Sequence, residues 1–131
     1  PAIEDVLRAA DFVSLHLPSS PETNRLFDLA MLKKMKPAAC LINCSRGSIV
    51  AEPDLIEALR QGVIAGAGID VFEREPPAAD NPLLSMRNVI ATPHMAGQTR
   101  ESLARMGIHA AMGIDEVLSG REPSWPVNKL D

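Results

Sequence analysis

The sequence predicts an α/β fold with a parallel sheet, because short strand-like runs alternate with helix-like segments. The candidate strands are four apolar runs rich in Val, Ile and Ala, at residues 12–17, 39–43, 65–71 and 89–92. Within each run the apolar residues are largely continuous rather than alternating with polar ones. Continuous runs are typical of strands that are covered on both faces of a parallel sheet.

Two segments between these runs have the spacing of short crossover helices. In the first, Asp28 is a candidate N-cap and Pro37 a stop signal. In the second, Pro53 suits the first turn and Gly62 the C-terminal cap. The apolar residues that share a helical face are Met31, Leu32 and Met35 in the first segment and Leu55, Ile56 and Leu59 in the second. The strand–helix–strand unit therefore repeats.

The last part of the chain departs from this repeat. Residues 72–88 contain three prolines and are predicted to be mostly loop. Residues 98–118 are predicted to form one long amphipathic helix, and residues 120–131 an irregular tail in which Trp125 is a packing contact. The apolar stripe of the long helix is Leu103, Met106, Ala110, Ile114 and Val117.

Composition excludes several functional classes. The chain has 131 residues, of which 46% are hydrophobic, enough for one domain with a buried core. The net charge is -4 and the longest basic cluster is a pair of lysines, so no nucleic-acid partner is expected. No apolar run approaches the roughly 20 residues of a membrane span, and a soluble, cytoplasmic protein is expected. Helical spacing already at Ile3, Val6 and Leu7 suggests that residues upstream are missing.

The two cysteines, Cys40 and Cys44, are predicted to be buried in a strand and reduced. Four residues of strand separate them by about 13 Å, too far for a disulfide. Neither has the histidine or second thiol pair of a zinc site nearby in the sequence, so no metal site is predicted. A catalytic cysteine is the less favoured alternative.

Every candidate strand runs directly into polar residues, which matters because ligands bind beyond the carboxyl ends of parallel strands. The residues at these ends are His16, Leu17 and Pro18, then the Asn43 to Gly47 segment, then Asp70, then Thr92, Pro93 and His94. A lone arginine or histidine is usually structural, but their shared position at one sheet edge favours a site. Gly66 and Gly68 lie inside a strand and do not form a phosphate-binding glycine loop.

Four segments carry a resemblance to a known family: SLHLPSSPET, LINCSRGSIV, GAGIDVFEREPP and NVIATPHMAGQT. In this order and spacing they resemble the D-2-hydroxyacid dehydrogenases, including phosphoglycerate dehydrogenases and glyoxylate/hydroxypyruvate reductases. The resemblance implies a partial Rossmann-like, doubly wound parallel sheet over residues 1–97, the C-terminal half of an NAD(P)-binding domain. Residues 98–131 would be a long helix and tail returning towards a substrate domain that this chain lacks.

The resemblance implies an Arg–Glu–His catalytic triad for hydride transfer between NAD(P)H and a 2-oxo acid. Arg46 would bind the substrate carboxylate, since a guanidinium grips a planar anion with two hydrogen bonds. His94 would donate or accept the proton, and Glu75 would support the charged imidazole. The glycine-rich phosphate loop of the family lies upstream, so the isolated chain is expected to be inactive.

The resemblance also implies a nicotinamide cofactor, NAD or NADP with NAD favoured. Asp70 would lie near the nicotinamide end. The residues expected along the dinucleotide are Leu17, Pro18, Thr23, Cys44, Ser45, Arg46, His94 and Gly97. The loop after His94 reads Met95, Ala96 and Gly97 where the family often has two glycines, which puts the packing of this loop on the cofactor in question, although Gly97 remains.

Three interpretations remain open from the sequence. The favoured one is an enzyme acting on a small 2-oxo or 2-hydroxy acid, as a homodimer in its full-length form. The alternative from another class is a dehydrogenase-like binding module, such as a corepressor that senses nicotinamide cofactor. The third is a scaffold that binds no ligand, which cofactor titration would distinguish.

Overall fold

The computed structural model describes residues 2–127 and has a four-stranded parallel sheet at its centre. The strands are β1 (Phe12–Leu15), β2 (Cys40–Asn43), β3 (Gly66–Ile69) and β4 (Val89–Ala91), paired in that order. Each predicted run contains one of these strands, so the predicted α/β fold and parallel sheet are confirmed. The strands are shorter than the apolar runs because the ends of the runs already belong to the connecting loops.

Four α-helices and two single 3₁₀ turns connect and follow the strands. The helices are α1 (Ile3–Ala9), α2 (Leu29–Leu32), α3 (Glu52–Arg60) and α4 (Arg100–Leu118), and the 3₁₀ turns are Gly47–Ile49 and Pro82–Leu84. Asp28 caps α2 as predicted, accepting a hydrogen bond from the Met31 N–H at 2.8 Å. Gly62 follows α3 with a φ of 68°, the left-handed conformation expected at a helix C-terminus.

The first three helices lie together on one side of the sheet. Lys34, just after α2, forms an ion pair with Glu4 of α1. The N–H of Leu29 in α2 donates to the Asp54 carboxylate of α3 at 3.0 Å. This arrangement follows from the strand order, since crossovers of one hand between successive strands place every connection on the same face.

Within residues 2–96, helices therefore cover only one face of the sheet. Val13 and Leu15 are buried towards the helices, whereas Phe12 is 71% exposed and Ile90 is 74% exposed. Coverage of both faces, which the continuous apolar runs predict, is not observed within residues 2–96. A sheet whose strands follow one another in chain order gives only one layer of connections, so the second face needs other elements.

The loop after β1 is tied to the segment after β2 by backbone hydrogen bonds. Phe27 donates its N–H to Ile49 at 3.0 Å and accepts the Ala51 N–H at 3.1 Å. The Phe27 side chain is 2% exposed and packs in the hydrophobic core. The core thus fixes the two loops that lead to the predicted site.

The chain divides into two compact units, one up to Ala96 and one from Gly97 onward. In the second unit the predicted long helix is confirmed as α4, which starts after Thr99, whose hydroxyl accepts the Ser102 N–H at 3.1 Å. Residues 128–131 of the predicted tail lie outside the described residues. The part that is described folds back on α4, because Ser124 donates both its N–H and its hydroxyl to Glu116 at 2.7 Å each. Its Trp125 stacks on His109 with ring centroids 4.3 Å apart, a packing contact as predicted.

The predicted burial of both cysteines is wrong. Cys40 lies in β2 and is partly buried, but Cys44 lies just beyond the strand and is exposed. The physical reason is the buried Asn43, which ends β2 and turns the chain away from the sheet. Both thiols are free, so the prediction of no disulfide is confirmed.

Candidate active site

Asn43 shapes the turn that presents Arg46. Its side chain is 1% exposed and donates to the Arg46 carbonyl at 3.0 Å. The same amide accepts the N–H and the hydroxyl of Ser45, at 3.1 and 2.9 Å. A buried amide with every group paired makes a rigid turn. The sequence places Asn43 at the strand end, but its structural role was not predicted; an amide closing an otherwise apolar run is the available signal.

The guanidinium of Arg46 is exposed at this turn. Its Nη1 donates to the Ser45 carbonyl at 2.6 Å, and Arg46 takes part in none of the ion pairs found among residues 2–127. An arginine whose charge is not neutralised by a carboxylate can bind an anion from solution with its planar donors.

Gly47 brings the Arg46 turn into contact with the backbone that follows β3. A Cβ atom built on Gly47 would lie 1.9 Å from the Phe72 carbonyl oxygen and 2.7 Å from the Glu73 nitrogen. No side chain fits there, so the two backbones touch directly. Gly47 was not among the predicted site residues, because a required glycine cannot be recognised without the tertiary contact.

Asp70 fixes the loop that carries His94. Its carboxylate, 3% exposed, accepts the Thr92 hydroxyl at 2.6 Å and the N–H groups of Met95 and Ala96 at 2.8 and 2.9 Å. Its carbonyl accepts the His94 N–H at 2.8 Å. Burial, the largest single influence, would raise the pKa of Asp70, but these hydrogen bonds together outweigh it and lower the pKa.

His94 is held in an uncommon backbone conformation with a φ of 53°. A positive φ is unfavourable for a residue with a side chain, so it persists where neighbouring contacts determine the turn. Here the hydrogen bonds of Asp70 on both sides of His94 do so. The backbone that carries the imidazole is therefore held by a buried carboxylate just beyond the end of β3.

Glu75 and His94 form a direct pair. The Glu75 Oε2 lies 2.8 Å from the His94 Nδ1, and the Glu75 Oε1 accepts the Phe72 N–H at 3.0 Å. The hydrogen bond with His94 and then that from Phe72 are the main causes that lower the pKa of Glu75. Glu75 thus stays ionised to a lower pH than an ordinary glutamate.

Arg46, Glu75 and His94 line one cleft of about 290 Å³ at the carboxyl ends of β2, β3 and β4. The other lining residues are Ser19, Gly47, Ser48, Val71, Phe72 and Glu73. The three residues predicted to be catalytic thus share one cavity, with a cationic group and an imidazole–carboxylate pair. Such a cavity can bind a small carboxylate and transfer a proton to it.

The loops after β1 and β2 provide a surface suited to a dinucleotide. Leu17, Pro18 and Cys44 are exposed at the ends of these neighbouring strands. Thr23 closes the turn that follows Pro18, accepting the Ser20 N–H and donating to the Pro18 carbonyl, each at 2.8 Å. The predicted cofactor contacts of these residues, and that of Gly97 in the second unit, stay predictions.

Residues 2–127 contain no group of three or more His, Cys, Asp and Glu side chains arranged to hold a metal ion. Among them, no helix combines the length and apolar character that a membrane crossing requires.

A family model described as "D-isomer specific 2-hydroxyacid dehydrogenase, NAD binding domain" matches residues 2–96. The chain belongs to this family. Over 128 residues it is 43% identical to a glyoxylate reductase from Aeropyrum pernix, a match that covers 98% of this chain and 38% of that protein. The family resemblance seen in the sequence is confirmed, and the chain spans well under half of this relative.

Solved structures of D-isomer specific dehydrogenases confirm the Rossmann-like fold. A dehydrogenase from Lactobacillus delbrueckii ssp. bulgaricus in its NAD-complexed form has a TM-score of 0.85 and 34% identity, covering 95% of this chain and 42% of that one. An NADPH-dependent glyoxylate/hydroxypyruvate reductase from Sinorhizobium meliloti, in complex with NADP and sulfate, has a TM-score of 0.79 and 32% identity, covering 92% and 39%.

Replacing Gly47 by alanine in the intact protein is expected to lower the free energy of unfolding by about 1–3 kcal/mol, because the new methyl group would overlap the Phe72 carbonyl. Urea unfolding measures this change. The matched control is Gly107→Ala in α4, where a new Cβ would have no neighbouring atom within 4 Å. Because alanine has the higher helix propensity, this variant should raise the free energy of unfolding by up to about 1 kcal/mol. A Gly47→Ala protein as stable as the parent would contradict the close backbone contact.

Proposed function

We propose that this chain forms the catalytic part of the cofactor-binding domain of an NAD(P)-dependent D-2-hydroxyacid dehydrogenase, an oxidoreductase acting on CH–OH groups. The observation that carries the proposal is the single cleft shared by Arg46, Glu75 and His94. Family membership supports it, since the chain matches the NAD binding domain of these enzymes. In the direction of reduction, a 2-oxo acid and NAD(P)H with one proton give a 2-hydroxy acid and NAD(P)⁺.

Arg46 anchors the substrate carboxylate in this mechanism. A 2-oxo acid presents a planar carboxylate next to its carbonyl, and a guanidinium can donate two parallel hydrogen bonds to it. The rigid turn around Asn43 then fixes the carbonyl carbon relative to the cleft. Binding the substrate in one orientation supplies much of the advantage of an enclosed reaction.

His94 supplies the proton. When the carbonyl carbon is reduced, negative charge develops on its oxygen, and an imidazolium beside that oxygen protonates it. Glu75, ionised and 2.8 Å from Nδ1, favours the charged imidazole and holds the ring in place. In oxidation the neutral imidazole accepts the hydroxyl proton, so one proton moves through His94 in either direction.

A nicotinamide cofactor, when bound, supplies the hydride. The exposed loops after β1 and β2 would hold it, with Leu17 and Pro18 on one side and Cys44 and Ser45 on the other. Both NAD and NADP fit the proposal, and NAD is favoured because the matching family model is an NAD binding domain. A cytoplasmic homodimer is the proposed state of the full-length enzyme.

The isolated 131-residue chain is expected to bind NADH only weakly, because it contains no glycine-rich phosphate loop at a helix N-terminus. Fluorescence titration with NADH measures the affinity, and an intact protein containing this chain is the control. Binding by the isolated chain at micromolar concentration would show that its own loops hold the dinucleotide.

In the intact enzyme, Arg46→Lys is expected to lower kcat/KM for glyoxylate by about tenfold or more, because a point charge cannot reproduce the two-pronged grip. The affinity for cofactor should change much less. Arg60→Lys, an exposed arginine at the end of α3, is the matched control. An Arg46→Lys enzyme within about threefold of the parent would exclude the anchoring role.

Replacing Glu75 by glutamine removes the negative charge that lies 2.8 Å from Nδ1 of His94 and favours the protonated donor needed for reduction. The alkaline fall in the rate of 2-oxo acid reduction is then expected to move to lower pH. The acidic limb of the reverse oxidation should move the same way, because oxidation needs the neutral ring. Steady-state pH profiles in both directions measure these limbs. With Glu57→Gln as control, unchanged limbs would remove Glu75 from the mechanism.

A further inference from the structure

Glu75 lies on a loop that contains no helix or strand. We call residues 72–81 the relay loop, because they carry Glu75 from the end of β3 to the imidazole of His94. Pro76 and Pro77 follow Glu75 directly and cannot donate backbone hydrogen bonds. The position of the Glu75 carboxylate therefore depends on contacts made elsewhere along the loop.

One side chain outside the relay loop binds it at both ends. The Oε2 of Glu52 accepts the N–H of Glu73 at 3.1 Å, and its Oε1 accepts the side-chain amide of Asn81 at 2.7 Å. The N–H of Phe72, one residue earlier, donates to Glu75 itself. The carboxylates of Glu75 and Glu52 thus accept hydrogen bonds from two successive backbone N–H groups. Both carboxylates are therefore bound to the same short segment of the relay loop.

Glu52 is itself firmly placed relative to Arg46. It is the first residue of α3, where the helix dipole favours a carboxylate, and it is partly buried. Between Arg46 and Glu52 lie only the 3₁₀ turn Gly47–Ile49 and two residues. The N–H of Ala51, just before Glu52, is bound to Phe27 in the core. Glu52 therefore joins the loop of the substrate anchor to the loop of the proton relay.

We propose that Glu52 is a positioning residue, which sets the place of Glu75 against His94 relative to Arg46 by binding the Glu73 backbone and the Asn81 side chain. The inference rests on the function proposed above. It adds a residue that touches neither substrate nor cofactor and acts through Glu75. Gly47 complements it, because the close backbone contact at Phe72 prevents the relay loop from moving inward.

A carboxylate is suited to this position because each of its two oxygens accepts one hydrogen bond. Glutamine keeps one acceptor oxygen and turns the other into a donor, so it cannot serve both the Glu73 N–H and the Asn81 amide. The ion pair of Arg25 with Glu73 also contacts the loop, but its side chains are 54% and 35% exposed. An exposed pair of this kind holds a loop weakly, and it does not replace Glu52.

The first test measures pH profiles of glyoxylate reduction by the intact Glu52→Gln enzyme. We expect the alkaline limb to move down by about half a pH unit or more, in the direction expected for Glu75→Gln, because a displaced Glu75 supports imidazolium less well. The kcat should fall roughly tenfold, while the KM for glyoxylate changes less than about threefold. Glu57→Gln, an exposed glutamate on the same helix, should leave the profile unchanged.

The double variant E52Q/E75Q separates action through Glu75 from any direct effect of the Glu52 charge. If Glu52 acts by positioning, its replacement moves the limb in the parent but not in the E75Q background. An equal shift in both backgrounds, or a parent-like limb in E52Q alone, overturns the inference. The single variant E75Q tests the role of Glu75 by itself. If its alkaline limb is unchanged, the proposed function is contradicted; if its limb moves but that of E52Q does not, only the positioning role of Glu52 is contradicted.

Asn81→Asp provides a second perturbation of the same contact. Aspartate keeps an oxygen for the Leu83 N–H, which Asn81 accepts at 3.0 Å, but places a second carboxylate against Glu52. We expect the alkaline limb to move in the same direction as in Glu52→Gln. Urea unfolding of both variants establishes that each is folded during the assay. A folded Asn81→Asp enzyme with the parent profile overturns the inference.

Discussion

The parallel pairing of β2, β3 and β4 is the constraint on which the site depends. Its ladder continues one residue past the strands, since Asp70 donates its N–H to Asn43 at 3.0 Å and Thr92 donates to Ile69 at 2.9 Å. The segments that follow β2, β3 and β4 therefore leave the sheet at the same edge and at the same level. A shift of one residue would turn each side chain to the opposite face and separate the groups.

Buried polar groups convert this register into a defined geometry. Asn43 and Asp70 are almost fully buried, and the side chain of each forms hydrogen bonds with the loop that follows a strand. Unpaired, such groups would cost several kcal/mol, so the loops are stable mainly in the conformations that pair them. The loops that carry the exposed groups of the cleft, Arg46 and His94, are thus held by buried polar side chains.

The sequence predicted the four strands of the parallel sheet and the residues at the sheet edge, because hydrophobic period and strand-end position are local signals. It did not predict the roles of Asn43, Gly47 and Glu52, since each depends on a partner from another strand connection. The exposure of Cys44 was also missed. The buried amide of Asn43 ends β2 one residue before the cysteine, and an amide that closes an otherwise apolar run was the available signal.

The sequential order of the strands also bears on how the chain folds. Each strand pairs with the next strand along the chain, so no strand has to enter between two that are already joined. Loop closure for each pairing spans a single crossover, which keeps its entropic cost moderate. The sheet can grow one strand at a time from either end, and the edge groups are brought together only when β2, β3 and β4 have all assembled.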